Sequence, residues 1–320
     1  MIKVITSHDE IYSKEIVMTD IIKEYQLAGS ATIHMNNEGP DARAVGLYQM
    51  LDYVCKEFNF NKKNIKILTC NAEELHPDYK IIIQPQHWIS LTTKAIEELG
   101  YSKDSFRHKD VTKNLFGCLY NIPSWDRLCI LSHVKFHTAH SSLLGCNLTF
   151  DERVYNTVYL DKLIENAPNE LYAVTDYIKT KPSAVCGLVS EKPITSIALN
   201  EPIKFYNDFF IDIVAETYIH GLTFFITEKT IRPIYALTPF ITVGPQGYLS
   251  NLKARYGFKT FNQWWDESYD DYQNYDRIKK IYEVIQRIDN LSNTELKEMY
   301  NDMTDTLDHN YNRLLELNGK

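Results

Sequence analysis

No run of this 320-residue chain is apolar for long enough to cross a bilayer. The most apolar window, FFIDIVAETYIHGLTFFI at 209–226, is broken by Asp212, Glu216 and His220. The first residues, MIKVITSHDE, lack the basic region and apolar stretch of an export signal, so the expected location is the cytoplasm. Cysteine is sparse as well. The six residues Cys55, Cys70, Cys118, Cys129, Cys146 and Cys186 show no C-x-x-C spacing and lie mostly in or beside apolar runs. That excludes a disulfide framework and predicts reduced thiols filling core positions. An excess of positive charge is also missing: the net charge of −8 argues against a generally basic nucleic-acid-binding protein. The charge is uneven, with 16 Lys+Arg against 17 Asp+Glu in residues 1–150 and 18 against 25 in residues 151–320. If a polyanion binds, the first half is the expected surface. Neither G-x-x-x-x-G-K-[ST] nor G-x-G-x-x-G occurs, which removes the commonest glycine-rich phosphate loops. There is no internal repeat and no low-complexity segment.

What is present is enough apolar residue, 44%, for a sizeable core, and a length that suits two domains of roughly 100–200 residues. Short apolar runs alternate with helical periodicity. MIKVIT, ATIHMN, NIKILTCN and YKIIIQP read as strands, and SKEIVMTDIIKEYQL, DARAVGLYQMLDYVCKEF and SLTTKAIEELG as helices. A polar connector at 101–114 follows, and the domain boundary is expected there, giving domains 1–110 and 111–320. The second series predicts strands at LFGCLYN, SSLLGCNL, DFFIDIVAE, TFFITE, PFITVG and FKTF. Its helices are expected at SWDRLCILSHVKFH, with Ser124 as N-cap, DERVYNTVYLDKLIE, 229–237 and GYLSNLKARYG. Two amphipathic helices, from about 275 and from 293, close the chain. The expected class is α/β, with two Rossmann-like domains, a ligand cleft between them and C-terminal helices.

Within FFITEKTIRPIYALTPFITVG, Glu228, Lys229 and Arg232 stand between two apolar runs at the expected start of a helix. The unpaired N–H groups and dipole of a helix start favour an anion, and Glu228 alone satisfies that. Lys229 and Arg232, i and i+3 on one side, are unfavourable there unless a negative partner neutralises them. That combination fits a diphosphate with a carboxylate near its ribose. The plainer reading is a surface helix on which Glu and Arg pair, which is common and weak.

The segment FFIDIVAETYIHGLTFFITEKTIRPIYALTPFITVG resembles the donor-binding segment of the family-10 fucosyltransferases and related GT-B glycosyltransferases. The matching parts are Ala215-Glu216-Thr217, then Thr227-Glu228-Lys229, then Pro239 to Gly244. Upstream, GCLYNIPSWDRLCILSHV is similar to the part of that family in which an Arg on the helix after a strand reaches the donor phosphates, the place held here by Arg127. The likeness covers roughly residues 111–262 and not the first domain. It implies a GT-B fold and a metal-independent, inverting transfer of a sugar from a nucleotide-diphosphate sugar. Arg127, Lys229 and Arg232 would hold the diphosphate, Glu228 the ribose, and Glu216 would belong to the donor site. The family's amide is Thr217 here and the Arg-containing turn reads Asn121-Ile122-Pro123, so fucose is not carried over.

An inverting transfer needs a general base, expected in the first domain. In HMNNEGPDARAVG the candidates are His34, Glu38 and Asp41. Glu38 is the choice for chemistry, because Asp41 is the better helix cap. His87 and Trp88 in QPQHW are placed to orient an acceptor, though core packing accounts for the Trp. The acceptor is either a saccharide or a hydroxymethylated base in DNA of the sort phage glycosyltransferases modify. Cys129, His133, His137 and His140 raise a zinc site, with His133 and His137 at i, i+4, but no H-E-x-x-H is formed and a helix-end His cluster is the default. WWDESYDDYQNYD is read as a solvated turn anchored by its aromatics, and there is no D-x-D of the kind metal-dependent GT-A enzymes use. No cofactor or metal is expected. The alternative is a non-catalytic nucleotide-binding or scaffolding protein of the same fold.

Overall fold

The computed structural model describes residues 1–4, 11, 13–35, 40–84, 87–107, 109–110, 112–146, 155–180, 196–219, 221 and 223–319. The chain divides into two compact units, one of residues 1–88 and 221–227, the other of residues 89–220 and 228–320. The expected boundary at 110 falls inside the second unit. Residues 99–110 bond there: Tyr235 donates to the Tyr101 carbonyl, Lys103 pairs with Asp308, and Lys109 donates to Thr238.

The first unit holds β1 (Ile2–Val4), α1 (Lys14–Ala28), β2 (Ala31–Met35), α2 (Leu47–Phe58), β3 (Ile65–Thr69) and β4 (Lys80–Ile83). α3 (His87–Glu98) leads into the second unit. All four strands are parallel and lie in chain order, β1-β2-β3-β4. β2 and β3 alternate between buried and more exposed positions. Val17 and Ile21 of α1 and Leu47, Leu51 and Val54 of α2 join Ile33 and Ile67 in one apolar core.

The second unit contains β5 (Phe116–Tyr120), α4 (Trp125–His137), β6 (Ser142–Cys146), α5 (Tyr155–Asn166), α6 (Leu171–Lys179), α7 (Ser196–Asn200) and β7 (Ile211–Ala215). It continues through α8 (Glu228–Tyr235), β8 (Phe240–Val243), α9 (Tyr248–Asn251), α10 (Asn274–Asp289), α11 (Asn293–Asp302) and α12 (Thr304–Leu317). Its strands are parallel in the order β6-β5-β7-β8. β5, β7 and β8 are buried at every position, as expected of a parallel sheet covered on both faces. Each unit is thus a Rossmann-like α/β arrangement. All five described cysteines are buried and none forms a disulfide among the described residues, and no helix among the described residues is long and apolar enough to cross a membrane.

Several elements differ from the sequence expectation, each for a local reason. Residues 41–46 form a separate turn ahead of α2. There Asp41 accepts from Arg43 and Ala44 N–H, while Gly46, at φ 80°, takes the left-handed conformation that starts α2 at Leu47. TFFITE is not a strand: Phe224 N–H donates to the Asn71 side chain and its carbonyl accepts from Ala72, so its backbone is bonded outside a sheet ladder. FKTF is not one either, because the Asn310 amide takes both backbone groups of Lys259 and Glu267 accepts from Phe261 N–H. GYLSNLKARYG gives only one turn of α-helix and then a π turn at Leu252–Tyr256. The last expected helix is two, broken at the fully buried Met303, after which α12 packs on α8. α6 was unforeseen, although Leu171, Val174 and Ile178 carry helical spacing.

Gly117 of β5 packs directly against Phe209. A Cβ there would lie 2.7 Å from the ring of Phe209, itself fully buried. Gly117→Ala is expected to cost about 1–3 kcal/mol through overpacking, read as a lower urea midpoint at unchanged slope.

Candidate functional site

The strand order of the second unit sets where a site forms. From β5 the chain first adds β6 on one side and later returns to add β7 on the other. Helices leaving the carboxyl ends of two such neighbours go to opposite sides and leave a crevice, the usual ligand position in an open α/β sheet. The four strands of the first unit run in chain order and have no such reversal. The five residues expected to bind a donor all belong to the second unit.

Arg127, the third residue of α4, spans this reversal. One terminal nitrogen donates to the Ile122 carbonyl at 2.7 Å, after β5. The other donates to the carbonyls of Ala215 at 3.3 Å and Glu216 at 3.2 Å, at the end of β7. The residue is only 9% exposed, and its Nε meets no acceptor among the described residues. A buried N–H without a partner is costly, and the terminal nitrogens hold the guanidinium across the reversal.

Glu216 follows β7 and is buried. Its Oε1 accepts from Thr230 of α8 at 2.6 Å and from Tyr248 of α9 at 2.9 Å. The carboxylate therefore fixes the first turns of two helices. Thr230 and Tyr248 were not singled out in the sequence, because their importance comes from partners 14 and 18 or more residues away.

Glu228 opens α8 and is buried beside two cations. Lys229 Nζ lies 3.2 Å from its Oε1. Burial pushes the Glu228 carboxyl up, but the charges of Lys229 and Arg232 and its hydrogen bonds outweigh that and hold it below the ordinary carboxylate range. The ionised carboxylate complements the helix dipole. Lys229 Nζ also donates to the Thr217 hydroxyl at 3.3 Å, and its side chain keeps 23% of its surface exposed. Arg232, almost fully buried, donates to the Leu199 carbonyl at 3.2 Å. The expected trio is thus brought together electrostatically around Glu228, with Lys229 the exposed member.

Behind this cluster Asp212 of β7 is buried, accepts from Tyr206 at 2.6 Å and is faced by the charges of Arg232 and Lys109. Burial is the main cause that raises its carboxyl from 3.8 to about 6, against the opposing effects of Tyr206 and the two cations. Between those values the folded state holds the proton that the unfolded chain has released. Stability from this group is therefore full below about pH 4 and is lost as the pH rises through about 6. Urea midpoints measured from pH 4 to 7 are expected to lose this downward component in Asp212→Asn.

The other candidates are placed as follows. Glu38 lies outside the described residues. His34 is within β2, and Asp41 serves the turn at 41–46 and not the start of α2. Trp88 is buried, and the exposed His87 meets it edge-on at 6.0 Å. His133 stacks on Tyr282 at 3.7 Å, with His137 5.0 Å away, while His140 and its backbone N–H engage Asp289. Burial lowers His133 to about 4, which keeps it neutral near pH 7. Among the described residues no three His, Cys, Asp or Glu side chains come together as a metal site.

WWDESYDD is not merely a solvated turn. Asp270 is buried and accepts from the N–H groups of Leu249 and Ser250, capping α9. Arg277 of α10 is fully buried, bonds Asp270, and donates to the carbonyls of Thr242 and Pro245. These two residues hold the turn GPQGYL, which follows β8. The pairing was hidden because a charge in a tyrosine- and aspartate-rich run has the composition of surface.

Comparison with protein-family models, curated proteins and solved structures returns no match for the chain.

Proposed function

We propose that the chain is a GT-B-like glycosyltransferase that moves a sugar from a nucleotide-diphosphate sugar to a hydroxyl acceptor, without a metal and with inversion. The observation that carries this reading is the convergence of Arg127 and the start of α8 on the carboxyl end of β7. As the glycosidic bond to the diphosphate breaks, negative charge grows on the leaving oxygens. In this reading Lys229, Arg127 and the amides of α8 stabilise it, with Thr217 as a further hydroxyl donor. Glu228, kept ionised, accepts ribose hydroxyls. Arg232 acts through Glu228 and the fold, and Glu216 positions α8 and α9. The acceptor proton is assigned to Glu38, and the acceptor is a saccharide or a hydroxymethylated DNA base.

Calorimetry and thermal shift with UDP, GDP, ADP, CMP and their sugar conjugates, each with and without EDTA, test the donor half. Micromolar binding of one nucleotide family that survives chelation is the expected result; no binding by any of them overturns the proposal. Salt then separates the acceptors, since transfer to DNA falls steeply with ionic strength and transfer to a neutral saccharide does not. A second reading has one observation in its favour. Arg127 gives both terminal nitrogens to backbone carbonyls, and Glu216 gives Oε1 to two hydroxyls, as in a scaffold of the same fold that binds a nucleotide without chemistry. Nucleotide binding with no hydrolysis or transfer under any acceptor would favour it.

A further inference from the structure

The four strands of the first unit contain no carboxylate. IKV, ATIHM, IKILT and KIII carry Lys3, His34, Lys66 and Lys80, and no Asp or Glu. The register puts all four groups on one face of the sheet, since Lys3 lies opposite His34, Thr32 opposite Lys66, and Lys66 opposite Lys80. The other face is the apolar one. Strands that lie in chain order send their right-handed crossovers to one side, and α1 and α2 pack there on Ile33 and Ile67. The helical layer also carries acids, among them Glu15 and Asp20 of α1 and Asp52 and Glu57 of α2. Charge is thus segregated between the two sides of the unit, with bases alone on the strands.

Lys3, Lys66 and Lys80 are exposed. None of them pairs with a carboxylate among the described residues, whereas Lys62, ahead of β3, is held by Asp52 and Asp78, and the terminal ammonium by Glu24. Lys66 and Lys80 stand directly opposite on neighbouring strands, about 4.8 Å apart. Like charges in that position repel, and an anion lying across them removes the cost. From β1 to β4 the basic groups cover three such spacings, roughly 14 Å. That is wider than one phosphate and suits a row of them.

We propose that this face binds the phosphate backbone of duplex DNA without regard to sequence. Lysine ammoniums that neutralise phosphates release the counter-ions condensed on them, which is the main term in sequence-independent binding. Thr32, on β2 between the lysines, adds a hydroxyl of the kind that bonds phosphate oxygens. A single strand is held largely by stacking on aromatic rings, and these four strands contain no Phe, Tyr or Trp. A membrane surface is gripped by apolar side chains as well as by charge, and the apolar members of this face, Leu68 and Ile82, are partly buried. The chain as a whole is acidic, with a net charge of −8, so the binding is weak. It stands whether or not the Lys229 cluster holds a nucleotide; only the role of the face in holding an acceptor DNA rests on the transfer reading.

Fluorescence anisotropy with the full chain and short labelled duplexes of unrelated sequence, at several low salt concentrations, is the test. Wild type is expected to bind all of them alike, with a dissociation constant of about 10–100 µM. Three lysine contacts predict a slope of about −2.7 in log K against log salt, so a fourfold rise in salt weakens binding roughly 40-fold. Lys66→Gln combined with Lys80→Gln is expected to bring the slope to about −1 and to weaken binding by more than about tenfold. Lys56→Gln removes the same charge from α2, on the helical side, and is expected to bind as wild type. All three positions are exposed, so the variants should melt as wild type does. Lys229→Ala should leave duplex binding unchanged, and the double variant should leave nucleotide binding unchanged, so failure here and failure of the donor site are distinguishable. No duplex binding at low salt, or equal loss in Lys56→Gln and the double variant, would overturn the proposal. So would stronger binding to single-stranded DNA or to phosphatidylserine vesicles than to the duplex at matched phosphate concentration.

Discussion

Lys229→Ala is expected to weaken nucleotide-diphosphate binding by about 10–100-fold, the worth of one charge-assisted hydrogen bond to a phosphate. If the proposed transfer occurs, it should slow transfer by more than it weakens binding, because the lysine's charge would act most strongly on the departing diphosphate. Lys229 is the member of the trio that combines a partly exposed side chain with a place at the start of α8. Its removal also takes away one of the two cation charges that hold the Glu228 carboxyl down, so that carboxyl rises. A stability measurement beside the calorimetry separates the two effects. Lys229→Arg keeps the charge and is expected to recover most of the binding but less of the rate, since the guanidinium fork does not reproduce a point charge at the same spot. Equal affinity and rate in Lys229→Ala and wild type would remove the main support for a diphosphate at this helix.

Arg277→Ala is expected to be the most destabilising of the substitutions considered, by about 3–5 kcal/mol. The guanidinium is fully enclosed, sits over the Tyr269 ring at 5.3 Å, and bonds Asp270 and the carbonyls of Thr242, Pro245 and Asp270. Burial lowers its pKa while Asp270 opposes that, so a deletion leaves a buried carboxylate without its counter-charge. The melting temperature should fall by roughly 10 °C, at about 2–4 °C per kcal/mol for a domain of this size. In a double-mutant cycle, Arg277→Met with Asp270→Asn should lose less than the sum of the single changes, because the partner is then no longer an unpaired charge. Exact additivity would show that the two residues act independently. The GPQGYL turn hangs on these bonds and carries Tyr248, the partner of Glu216, so under the proposed function donor binding in the folded fraction of Arg277→Met is expected to weaken as well.

Much of the fold could be read from pattern alone. β5, β7 and β8 are short, mostly apolar runs, and α1, α4 and α10 are long enough for their helical character to outweigh local ambiguity. The failures share one cause. TFFITE and FKTF have strand composition, yet their backbone groups bond Asn71, Ala72, Asn310 and Glu267, partners at distances of up to 153 residues that no local window contains. The start of α2 was misplaced because Asp41 can cap a turn as readily as a helix, and Gly46 chose between them.

The candidate site divides in the same way. Glu228, Lys229 and Arg232 were legible because three charges between apolar runs conflict with a helix start unless something negative joins them. Their amino-acid types and spacing were a matter of sequence, as were the alternation of strands and helices and the reduced state expected of the cysteines. Only the tertiary structure decided that Arg127 bridges β5 and β7, that Glu216 is pinned by Thr230 and Tyr248, and that Asp270 is a buried partner of Arg277. The reason is physical: local sequence sets dihedral preference and amphipathic period, whereas burial and pairing of a charge depend on which distant carbonyls and carboxylates the sheet order brings beside it.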